Sequence, residues 1–192
     1  MPRRASAKTF GRPTRLSAET KMFKSHFEMM AAYNAFANTR LYEQAAKLSD
    51  ADYRADCGAF FKSVHGTLNH LLVADRIWMK RFTGEGEPPN RLDAILHDDL
   101  ASLRAARQAE DRRIADYAAG LDDSALKRKI AYQAVTSPIA VEQELWSALT
   151  HFFNHQTHHR GQVHALLTRL TGEGPVLDLL AYQRSEAAKT PP

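Results

Sequence analysis

The chain has 192 residues, 44% hydrophobic and 25% charged, the balance of a globular domain long enough to bury one core. No stretch approaches the roughly 18–20 apolar residues that span a bilayer, so a helical membrane protein is excluded and a soluble, cytoplasmic protein is expected. The net charge of +4 is local: Arg3, Arg4, Lys8, Arg12 and Arg15 precede the first acid, Glu19, and without those five the 26 basic residues fall to 21 against 22 acidic.

That basic segment contains Pro2, Gly11 and Pro13 and shows no apolar periodicity, so residues 1–21 are expected to be a disordered extension. A nucleic-acid arm, a transit peptide, or sequence upstream of a start at Met22 are the alternatives weighed for it. Nucleic acid is the least favoured partner, because the body is nearly neutral.

From Met22 to about Leu48 there is neither Gly nor Pro, and Phe23, Phe27, Met30, Tyr33 (or Asn34), Ala37 and Leu41 recur at helical steps. A polar break at 49–52 and a loop holding Cys57-Gly58 follow. Cys57 is the only cysteine, which excludes an intramolecular disulfide and a cysteine-based zinc framework, and no motif around it favours a nucleophile. A second helix is expected from an N-cap at Ser63 to Phe82, ended by the Gly/Pro-rich residues 83–89. A third should span roughly 92–121, with Ile95, Leu100, Leu103, Ile114 and Tyr117 inward and its Arg and Asp/Glu on a solvated outer face. Residues 130–135 and 139–141 around Thr136-Ser137-Pro138 read as a small hairpin. The fourth helix begins near 142–145 and ends at Leu170 before Gly172. Residues 176–182 should pack back on the bundle, leaving 184–192 as a flexible tail. The fold class is therefore all-α, a four-helix bundle over 22–183 with a β-hairpin in the crossover before the last long helix.

Five of nine histidines lie between 151 and 164. On the fourth helix the apolar stripe Leu145, Leu149, Phe152 resumes at Val163, Leu166 and Leu170, and its gap is bridged by positions 155 or 156 and 159. His155 and His159, four apart, share one face with Cβ atoms about 5–6 Å from each other. Two readings stay open: a pair of metal ligands, or a hydrogen-bonded pair in the core. A third ligand must come from elsewhere, and His70, which shares its face with Gly66, Val73, Ala74 and Ile77, is the candidate. His65 lies on another face. His151 fits the bundle end or a supporting role, while His158, His164, His26 and His97 fit the rim or surface. No Glu-x-x-His pair, P-loop, Gly-x-Ser-x-Gly or Gly-x-Gly-x-x-Gly occurs.

These residues resemble the DinB/YfiT-like family of metal-dependent enzymes. The likeness covers about residues 22–183. It is carried by Tyr33-Asn34-Ala35-Phe36-Ala37-Asn38, by Thr67-Leu68-Asn69-His70 with Asp75 and Trp78, by His151 through Gln162, and by Pro175-Val176-Leu177-Asp178-Leu179-Leu180. The resemblance implies a divalent ion, zinc or nickel, on His70, His155 and His159, and frequent homodimers. It also implies, for some relatives, transfer or isomerisation reactions that use a low-molecular-weight thiol. The expected function is thus activation of a water or thiol against a small electrophile, with a non-catalytic metal-binding stress-response module as the alternative. Asp75, Asn38 and Arg160 are candidates for supporting or substrate contacts. The damage-inducible label attached to the family identifies no chemistry, and no catalytic residue beyond the ligands is assigned.

Overall fold

Between Pro13 and Gly58 the chain has no helix breaker, and the first helix, α1, fills most of that run from Arg15 to Ala45. The computed structural model describes residues 15–135 and 137–189, with side chains from Met22 onward except that of Asp123. The helix starts seven residues before Met22, so the extension expected over 1–21 is shorter: once past Pro13, nothing in the backbone stops the helix from propagating. The readings placed on the basic segment fall mainly on residues 1–14, outside the described residues. From Phe27 onward α1 turns Phe27, Ala31, Asn34, Ala37, Asn38, Leu41 and Ala45 inward.

A short helix, α2 (Asp50–Arg54), precedes α3 (Val64–Thr83). Ser63 is the cap anticipated from sequence, its side chain accepting from the Gly66 N–H at 3.0 Å. Gly84, at φ 79°, closes the helix in the left-handed conformation.

The third long helix, α4, spans Leu100–Ala119 and begins eight residues later than expected. Upstream of it the Asn69 side-chain oxygen accepts from the N–H groups of Leu96 and His97 at 2.8 and 3.0 Å. Those backbone donors are satisfied without a helix. Asp99 then starts the helix by accepting from Ser102 N–H at 2.8 Å. Ile95, expected inside, is 50% exposed in this loop.

After α5 (Asp123–Lys127), β1 (Lys129–Gln133) and β2 (Ala140–Glu144) pair antiparallel, Lys129 opposite Glu144 and Gln133 opposite Ala140. The last long helix, α6, runs Leu145–Thr171 and closes on Gly172 at φ 78°. Finally α7 (Leu179–Ala187) brings Tyr182 against Tyr33 and Phe36. It takes in residues 184–187, expected to be flexible, because no Pro or Gly interrupts the chain between Pro175 and Pro191.

Helix α1 packs against α4 and α6, and α3 packs against the same two, closing a four-helix bundle. Among the described residues no helix is long and apolar enough to cross a membrane.

The core is not apolar throughout. One apolar cluster gathers Phe27, Met79, Phe82, Ile114 and Phe152, and a second gathers Leu41, Leu68, Leu72, Leu103, Val163 and Leu167. Between them each long helix contributes polar side chains to a buried layer: Asn34 and Asn38, Asp75, Arg107 and Asp111, Gln156 and Arg160. Arg107 pairs with Asp75 at 2.5 Å and meets Asp111 at 3.0 Å. Asn34 and Asn38 both donate to Asp111, at 3.0 and 2.9 Å. Gln156 donates to Asp75 at 2.6 Å, and Arg160 donates to Asn34. Burial pushes the Asp75 carboxyl up to about 6 against the pull of Arg107 and Gln156. Two carboxylates and two guanidinium groups balance inside the layer. The charges of α4 expected on a solvated face are therefore partly internal: Arg107, Glu110 and Asp111 are buried.

Candidate metal centre

Helix α6 presents His155 and His159 one turn apart, and α3 presents His70 opposite them. One ring nitrogen from each lies within 4.8 Å of the other two. His70 and His159 are buried, at 3% and 9% exposure, while His155 is half-buried. The gap in the apolar stripe is bridged by Gln156 and Arg160, which are 1% and 2% exposed and continue the line from Phe152 to Val163. His155 and His159 flank that line on the side of α3. Consecutive positions of one helix thus serve two sites, 155 and 159 the histidine cluster, 156 and 160 the polar layer.

The outer ring nitrogens fix the chemistry of the inner ones. His70 Nδ1 lies 2.8 Å from the Leu92 carbonyl, and His159 Nδ1 lies 2.8 Å from Gln162 Oε1. Both partners only accept, so each Nδ1 carries the proton and each Nε2 is a bare lone pair. Those two lone pairs face each other at 3.2 Å. Two such lone pairs repel each other, and a positive species between them relieves that repulsion. A proton is opposed by burial and by the neighbouring rings: the imidazolium form is suppressed to about 4 at His70 and about 3 at His155, and lowered at His159. A shared cation fits, since two metal–nitrogen bonds of about 2.0–2.1 Å subtend roughly 3.3 Å at a tetrahedral angle. Donation of the second ring N–H to a carbonyl or amide oxygen is the usual support of a ligating histidine.

Sequence reasoning missed the wall of the site. The Phe61 ring stacks on His70, centroids 3.7 Å apart and planes at 16°, and meets the edge of His159 at 5.6 Å. The loop carrying it is a tight turn in which Cys57 N–H donates to the Lys62 carbonyl at 2.8 Å. Lys62, at φ 66°, is the one non-glycine residue with positive φ among the described residues. The loop seats directly on α3: a Cβ at Gly66 would lie 2.1 Å from the Phe61 carbonyl oxygen. That glycine, in the first turn of a helix where glycine is costly, was the available signal.

The remaining candidates lie apart from the cluster. His151 is exposed, its ring tilted against Trp78 at 5.2 Å and 5.9 Å from the His155 ring. His158 is exposed and accepts from the Gln162 amide at 3.2 Å. His65 bonds the His97 carbonyl through its Nε2 and packs on Tyr53. His164 sits against Gly174, and His26 is exposed beside Phe27. Asp75, Asn38 and Arg160, the candidates for supporting or substrate contacts, lie in the buried layer beside the cluster, at 1%, 3% and 2% exposure.

The chain is similar to Protein DinB of Bacillus subtilis (strain 168), 23% identical over 150 residues that cover 70% of this chain and 80% of that protein. The pattern of the DinB family matches residues 22–191, which takes in all four long helices from Met22 onward and all three clustered histidines, and the chain belongs to the DinB family.

Proposed function

We propose that this protein is a metal-dependent enzyme that holds one divalent ion, zinc or nickel, on His70, His155 and His159 and activates a water or a low-molecular-weight thiol against a small electrophile. The observation that carries this reading is the convergence of three rings, one nitrogen of each within 4.8 Å of the other two, with the Nε2 atoms of His70 and His159 3.2 Å apart and each Nδ1 against an oxygen. Three neutral imidazoles leave a coordination position free, the pattern of catalytic rather than structural sites. A bound ion supplies Lewis acidity that lowers the pKa of a water or thiol toward neutrality.

The chain's own residues do the rest. Leu92 and Gln162 keep two ligand lone pairs inward, Phe61 shields the face of His70 from water, and half-buried His155 marks the side open to substrate. Elemental analysis of tag-free protein is expected to give one ion per chain, lost in His70→Ala. A screen with glutathione and other cellular thiols is expected to find turnover that chelation and His159→Ala both abolish. Turnover that survives chelation would sink the mechanism. Stoichiometric metal without turnover against any thiol or hydrolysable substrate would leave a binding module.

A further inference from the structure

On the far side of α6 from the histidine cluster lies a pocket of about 600 Å³, between α1, α6 and the segment leading into α7. Its volume is that of a small-molecule site. Two features of α6 are unexplained by the fold and meet there.

The first is Arg160. It is 2% exposed, and unlike Arg107, which has Asp75 and Asp111, it has no carboxylate at ion-pair distance among the described residues. Its terminal nitrogens reach Asn34, Gln156 and Thr157, and its guanidinium lies 5.1 Å from the centre of the Tyr33 ring. Its Nε is buried without a hydrogen-bond partner among the described residues, although the side chain lines the pocket. A buried donor left unpaired is costly.

The second is Gly161. A glycine in mid-helix is costly and usually has a packing reason, such as the close approach of another helix. Nothing lies within 4 Å of where its Cβ would be, and the residue lines the same pocket. The helix therefore carries its glycine without gaining a packing contact from it, and the exposed glycine leaves that side of the pocket open.

The geometry points to a second small-molecule site in this pocket, separate from the histidine cluster and taking a small organic carboxylate. The anionic head would meet the free edge of Arg160 and the ring of His164, and an apolar body would lie against Pro175, Val176 and Leu179. Asp178 also lines the pocket and is exposed; it disfavours an anion beside it and favours one held on Arg160. A single carboxylate on an apolar body fits this division better than a phosphate or a dianion.

The test is calorimetric titration of the full chain, in chelator, with phenylacetate and with its neutral isostere phenylacetamide. Phenylacetate is expected to bind at one site at least about tenfold more tightly than the amide, the margin of a hydrogen bond to a charged group. Gly161→Leu fills that open side without meeting protein atoms, so it should weaken phenylacetate at least about tenfold while the melting temperature is not lowered. Arg160→Gln should erase the preference for the acid, and His70→Ala should bind as the unaltered protein does. Equal affinity for acid and amide, no binding at millimolar concentration, or unchanged binding in a folded Gly161→Leu protein would each overturn the proposal.

Discussion

The histidine cluster and the buried polar layer occupy neighbouring positions on α6 and differ in nearly every physical respect. The layer is internal: its acids and arginines are buried and linked across all four long helices. The cluster joins two helices, holds two lone pairs 3.2 Å apart and leaves His155 half-buried. One set of polar groups is paired mostly within the protein, the Nε of Arg160 excepted, and the other turns ring nitrogens from two helices toward a common point. Stability should therefore reside in the first and chemistry in the second.

The sharpest way to break this comparison is to damage each region in turn. Arg107→Met strands Asp75 and Asp111 in the core and should cost about 3–5 kcal/mol in urea denaturation. His155→Ala in metal-free protein should cost less than about 1 kcal/mol while removing stoichiometric metal. A reversal of those magnitudes would refute the division. Next in size, Gly66→Ala drives a methyl into the Phe61 carbonyl and should cost about 1–3 kcal/mol, loosening the wall over His70 as well. Gln162→Leu separates the roles more finely. It should lower metal affinity about 10–100-fold by releasing His159, with the stability of the metal-free protein changed by less than about 0.5 kcal/mol.

A pH dependence tests the same division without a substitution. His70 and His155 protonate only near 4 and 3 in the native protein, against 6.5 ordinarily. As pH falls below 6.5 the unfolded chain takes up protons that the native state refuses, so stability falls toward those values. Asp75, raised to about 6 from 3.8, acts in the opposite sense between those two pH values. Three lowered histidines, His159 included, outweigh one raised carboxyl, so denaturation midpoints of metal-free protein should decline from pH 7 to 4.5. A flat profile would mean that the rings titrate as in water.

The contrast also explains what was legible in the sequence. The cap at Ser63, the hairpin around residue 136 and the stop at Gly172 are set by neighbours in the chain, and local pattern reveals them. His155 and His159 stood out because histidines four apart on one helix face invite a shared partner. Arg107 and Asp111 did not, because an arginine and an aspartate one turn apart look the same on a wet face and in a core. Only the opposing Asp75, Asn34 and Asn38, distant in sequence, make them internal. The late start of α4 was hidden for a related reason, since Asn69, some thirty residues upstream, supplies the acceptor that keeps the backbone at 96 and 97 out of a helix.

The two support points behind His70 and His159 are of different kinds. The Leu92 acceptor is a main-chain carbonyl, present whatever side chain stands at that position, so only a change in the path of the loop removes it. The Gln162 acceptor is a side chain that a single codon change can replace by a carboxylate, a hydroxyl or nothing. Variation can thus reset the basicity of one ligand while the other is shielded from it. If the chemistry of this site has been adjusted over evolutionary time, residue 162 is the dial and residue 92 the fixed stop.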